Sequence, residues 1–117
     1  MSYTVVQAAD VEPAFGAFRK MRVALGVEGF GINQVELPPG ASGREHDEAG
    51  SGQEEVYVVL AGSGTMAVDG EDVALRAGTW LRVDAGSTRL PTAGPDGLTF
   101  IAVGGPPGQI YAPSPNL

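Results

Sequence analysis

The sequence predicts an all-β fold, a small antiparallel sandwich or barrel in one domain. Eighteen glycines and nine prolines among 117 residues supply many turns and leave little room for long helices. Short runs of β-branched and aromatic residues recur at regular spacing between those turns. One of the turns is Asp69-Gly70, a two-residue hairpin signal. A parallel βαβ sheet would need helical patterns between the strands, and these are missing.

The N-terminal part holds the one helical pattern. Phe15, Phe18, Met21 and Leu25 stand three or four residues apart within residues 10 to 26, which predicts a helix stopped by Gly26. GINQVEL, residues 31 to 37, alternates and ends at Pro38-Pro39-Gly40, a strand followed by a turn. Residues 40 to 53 are rich in glycine and charge and form a long polar loop. EVYVVLAG, residues 55 to 62, is a strand, and residues 65 to 75 are two short strands around Asp69-Gly70. Residues 78 to 86 and 98 to 105 each supply another strand. The chain thus divides into an N-terminal segment (1 to 30), a barrel (31 to 105) and an extended proline-rich tail (106 to 117).

In the strand at 55 to 62, Val56, Tyr57, Val58, Val59 and Leu60 are apolar on both parities. Both faces are therefore covered, one by the barrel interior and the other by the N-terminal segment or a second subunit. A homodimer is the simpler expectation.

Charge and composition narrow the function classes. A net charge of −7 repels nucleic acid and anionic membranes. No apolar run approaches the roughly 20 residues of a membrane span. The absence of cysteine removes disulfides, thiolate nucleophiles and thiolate metal sites. The N-terminus lacks the basic-then-apolar pattern of a signal peptide, so the expected location is cytoplasmic. Neither a phosphate-binding loop nor a serine-histidine-acid set can be drawn from these residues. The expected partners are a small organic molecule and a second copy of the chain.

The spacing of glycines and polar residues resembles the two motifs of the cupin family of small jelly-roll β-barrels. In G(X)5HXH(X)3–6E(X)6G, His46 matches the first histidine, Glu48 stands in place of the second, and Glu55 falls six residues before Gly62 as the pattern asks. In G(X)5PXG(X)2H(X)3N, Gly78 and Gly86 match, while Asp84, Arg89 and Ala93 stand at the proline, histidine and asparagine positions. Cupins typically bind one divalent transition metal through two histidines and a glutamate of the first motif and a histidine of the second. Carried over position by position, the resemblance implies His46, Glu48 and Glu55 as the metal ligands, if a metal is bound, with Arg89 in the fourth place. The family name alone fixes no chemistry.

Glu54 and Glu55 have opposite parity, so one faces inward, and the motif selects Glu55, in phase with Tyr57 and Val59. A carboxylate inside a barrel needs a partner. Arg89, always charged and shaped for a carboxylate, is the candidate. His46 and Glu48 have a second reading as solvated loop residues, and Trp80 and Arg82 share a parity whose side the sequence leaves open. The expectation is a small-molecule-binding barrel with no tightly bound metal, its ligand-binding residues Glu55, Tyr57 and Arg89. The preferred ligand is a small organic anion, or a polar molecule whose apolar body lies on Tyr57 and Val59. The alternative is a metal-dependent oxygenase or isomerase using His46, Glu48 and Glu55.

Overall fold

The computed structural model describes residues 2–108. The extended tail expected beyond residue 108 lies outside the described residues. Six strands form one antiparallel sheet: β1 (Phe18–Arg19), β2 (Gly31–Leu37), β3 (Glu54–Val68), β4 (Glu71–Arg76), β5 (Trp80–Val83) and β6 (Arg89–Gly105). The order is β1-β2-β6-β3-β4, with β5 also paired to β3.

The two long strands make the barrel. Glu54 to Val59 of β3 pair with Phe100 to Gly105 of β6, and Gly64 to Val68 pair with Arg89 to Ala93. Between these halves the register shifts twice, at Val59/Ala61 and Gly62/Gly64. Each shift is a bulge that bends the ribbon, so each strand serves both halves of the curled sheet. The inner face carries Val35, Leu37, Tyr57, Val59, Met66, Leu75, Val83, Leu98 and Phe100, all buried. Gly62 is irreplaceable at the bend. Its φ is +78°, and a Cβ there would stand 2.0 Å from the Gly97 carbonyl oxygen. The expected motif glycine therefore marks a backbone crossing.

Three expectations need correction. The helix expected over residues 10 to 26 is only α1 (Met21–Leu25). Phe15 and Gly16 both adopt left-handed backbone conformations, which turn the chain back so that β1 can pair with β2. The expected stop is present, since Gly26 is left-handed and its N–H donates to the carbonyls of Arg22 and Val23. The break expected near residues 62 to 64 is a bulge inside the continuous β3. The strand expected from residue 98 begins at Arg89, because Pro91 and Pro95 sit within β6 where local sequence reads as loop.

The N-terminal segment packs at the β2 edge, two strands away from β3. Arg19 anchors it: one guanidinium nitrogen donates to the carbonyls of Ala8 (2.9 Å) and Val11 (2.7 Å), while the side chain pairs with Glu36 on β2. The outer face of β3 is thus left uncovered. Trp80 is 73 % exposed and Leu60 49 % exposed, beside the half-buried Val56 and Val58. Both Trp80 and Arg82, the ambiguous pair, point outward.

The bond from Arg19 holds the Glu36 carboxyl below its ordinary range. A carboxyl whose pKa is lowered on folding contributes stability above its unfolded value and loses it as pH falls through the folded value. Acid should therefore loosen residues 2 to 12 first. Hydrogen exchange on lowering the pH below about 4 should show early exposure there, and Arg19→Ala should give the same exposure at neutral pH.

Candidate functional site

The site lies where the long polar loop crosses the start of β6. His46 and Arg89 exchange both backbone hydrogen bonds, N–H to C=O at 3.0 and 2.8 Å. Ser42 and Thr92 form a second bridge, and the Glu48 N–H donates to the Ala85 carbonyl at 2.8 Å. The expected loop thus lacks regular structure but is stitched to both segments of the second motif. The geometry brings His46, Glu48 and Glu55 together, and their ligating atoms lie within 4.8 Å of one another.

The details show which groups are already engaged. His46 Nε2 is 3.3 Å from a Glu48 oxygen and 3.5 Å from Glu55 Oε1. Its Nδ1 lies 3.2 Å from the Arg44 carbonyl, which acts as acceptor when Nδ1 carries the proton. The Ser51 hydroxyl donates to the other Glu48 oxygen at 3.0 Å. Glu55 Oε1 accepts from the Tyr57 hydroxyl at 2.5 Å and lies 3.4 Å from Arg89 Nη2. Tyr57 is fixed in turn by an edge-to-face contact with Phe100, ring centroids 5.6 Å apart. Burial, then the bond to Glu55, raise the Tyr57 phenol far above its ordinary value, so it remains a donor at any ordinary pH.

Arg89 is fully buried, at 0 % exposure. Its Nε donates to the Tyr57 hydroxyl at 3.3 Å and its Nη1 to the Ser87 carbonyl at 2.7 Å. Its Nη2 makes no well-formed hydrogen bond among the described residues and faces Glu55 through charge alone. The guanidinium is absent from the cavity lining and stands behind Tyr57 and Glu55, so it braces Glu55. Val59 also lies in the core away from the lining.

In front of this cluster is a cavity of about 820 Å³. Its buried wall includes Val35, Leu37, Tyr57 and Phe100, and its exposed rim includes Phe15, Lys20, Arg44 and Asp47. Of the wall, only Tyr57 was expected to face inward, and nothing in the sequence marked Phe15 or Lys20 as rim residues. The three clustered side chains fit a divalent ion as an oxygen-rich donor set, Glu48 and Glu55 with the Nε2 of His46. The fourth family position is occupied by a cation instead of a donor.

The buried pair has a measurable consequence. Arg89→Met strips Glu55 of its charge partner and should cost about 2–3 kcal/mol in urea unfolding. Combining it with Glu55→Gln should cost less than the sum of the two single changes, because neither charge is then left alone.

A family profile described as Cupin domain matches residues 33–102. An oxalate-binding protein of Thermotoga maritima is 34 % identical over 71 residues, which span 60 % of this chain and 57 % of that protein. A cupin protein from Bacteroides fragilis superposes with a TM-score of 0.83 at 26 % identity, covering 97 % of this chain and 92 % of the other. A predicted oxalate decarboxylase from Thermotoga maritima shares the fold, with a TM-score of 0.70 at 24 % identity over 86 % of this chain and 97 % of its own. With the barrel, the motif glycine Gly62 at the bend of β3 and a match over residues 33–102, the chain belongs to the cupin family.

Proposed function

We propose that the protein is a small-molecule-binding cupin barrel that holds a small organic acid in its cavity, without a tightly bound transition metal. The observation that carries the reading is the cavity, about 820 Å³ with an apolar wall and its half-buried ionisable groups gathered at His46, Glu48 and Glu55. That volume and that division suit a ligand with an apolar body and one polar end. An acid finds Lys20 and Arg44 on the rim and His46 within, and the relative named for oxalate binding supports this class. Repulsion from the two carboxylates is reduced, because Arg89 and Tyr57 engage Glu55 while Ser51 and His46 stand against Glu48.

The same bracing disfavours a metal. A divalent ion held by Glu55 would be repelled by the Arg89 guanidinium, which lies 3.4 Å from that carboxylate. The two carboxylates offset part of this, but one of them already answers to Arg89. A specific observation favours a second reading, a metal-dependent enzyme of the oxygenase or isomerase class. With Nδ1 turned to the Arg44 carbonyl, Nε2 faces two carboxylate oxygens, an arrangement that needs a cation or a proton between them. In the first reading a proton fills that place. In the second, a hard divalent ion does.

Elemental analysis of protein purified without chelator should find well under one metal per chain. Thermal-shift screening should then show small carboxylates raising the melting temperature more than their neutral analogues, equally with EDTA or added Mn²⁺. Shifts that vanish in EDTA and return with Mn²⁺ would establish the second reading.

The protein is a homodimer in this proposal, with the outer face of β3, β5 and β6 covered by a second copy. Support comes from Val56, Val58, Ile101, Val103 and the exposed Trp80, which form one apolar stripe through the strand registers. Light scattering should give twice the chain mass, and Trp80→Lys should halve it.

A further inference from the structure

Phe15 occupies a place that neither the backbone nor the core explains. Residues Ala14 to Ala17 form a tight turn in which the Ala17 N–H donates to the Ala14 carbonyl at 3.1 Å. Ala14 and Phe18 then exchange both backbone hydrogen bonds, at 2.7 and 2.9 Å, closing a hairpin. The two central residues, Phe15 and Gly16, have φ of 54° and 73°. Such turns favour Asn, Asp or Gly at the first central place, because a Cβ is strained there. Only one other non-glycine among the described residues has positive φ, and it is Asp69 in the Asp69-Gly70 hairpin. That residue is of the favoured type, and its carboxylate accepts from the Thr88 N–H at 2.8 Å. Phe15 has no such return.

Packing offers no return either. The ring is 96 % exposed, more than any other large apolar side chain described. A strained, solvated phenylalanine is unfavourable on both counts, and such a residue persists where something else uses it. The ring stands at the rim of the cavity, which also touches Phe18 and Lys20 from the same segment.

We propose that Phe15 is a specificity-determining residue of the cavity: its ring closes over the apolar body of the bound acid and selects ligands with a flat, aromatic or unsaturated body. The inference rests on the small-acid reading above and deepens it. A two-carbon diacid at His46 would leave most of the 820 Å³ to water. A larger planar acid seated at His46 extends along Val35 and Phe100, which line the same cavity as Phe15, and covers that ring from solvent.

The test pairs Phe15→Asn with calorimetric titration of acetate, oxalate, benzoate and 1-naphthoate. Asn suits the turn, so the variant should melt at a higher temperature than the parent while binding aryl acids about tenfold more weakly, the scale of one lost aromatic contact. Affinities for acetate and oxalate should not change. Equal losses for all four acids, or a lower melting temperature, would make the ring a support for the fold and overturn the proposal. So would an unchanged preference for aryl over alkyl acids, or conversion of a dimer to a monomer, which would make the ring a subunit contact. If the parent binds none of the four acids, the small-acid reading falls and the proposal with it. If it binds them and only the preference survives substitution, the proposal alone falls.

Discussion

Two strands pass each other at Gly62 and Gly64 more closely than any side chain would permit. A Cβ on Gly62 would fall 2.0 Å from the Gly97 carbonyl oxygen, and one on Gly64 would fall 2.2 Å from that of Thr92. No rotamer relieves such a clash, since the obstruction is backbone. Because β3 and β6 can approach there, each changes direction and pairs twice, and the sheet curls around one core. That curl sets Glu55 and Tyr57 near the start of one long strand opposite Arg89 at the start of the other. The cavity, its wall and its polar end all follow from a crossing that requires the absence of a methyl group.

The second constraint is electrostatic. Arg89 is a guanidinium cation with no contact with solvent. Such a group is tolerable only with compensation, and it receives one carbonyl, one phenol and the charge of Glu55. The result is a carboxylate held by groups behind it, with its remaining freedom directed at the cavity. Stability and site geometry are therefore the same set of contacts viewed from two sides. A change that relaxes the buried side shifts the groups a ligand meets.

Much of this was legible in the residues. Motif spacing picked Glu55 over Glu54 and with it set Tyr57 and Val59 inward, Asp69-Gly70 marked its hairpin, and Arg89 was the expected partner for the Glu55 carboxylate. What was not legible has physical causes. The apolar spacing of Phe15, Phe18, Met21 and Leu25 satisfies a helix, but left-handed geometry at two adjacent residues is a tertiary choice that periodicity cannot report. The first half of β6 contains Pro91, Gly94 and Pro95, which read locally as a loop and become strand only because β3 and the 42–46 bridges supply partners. The side from which Arg89 approaches Glu55 depends on the curl of the sheet, which no spacing encodes.

The rung between His46 and Arg89 carries a consequence for how such sites diversify. Their backbones are joined by two reciprocal hydrogen bonds that involve no side-chain atom. The position of each Cα relative to the other is therefore indifferent to what the side chains are. A donor can become a cation, or a cation a donor, at residue 89 with the loop still seated at residue 46. The frame behaves like a socket whose wiring is fixed and whose contacts are interchangeable, and the chemical identity of the pocket becomes a matter of single codons.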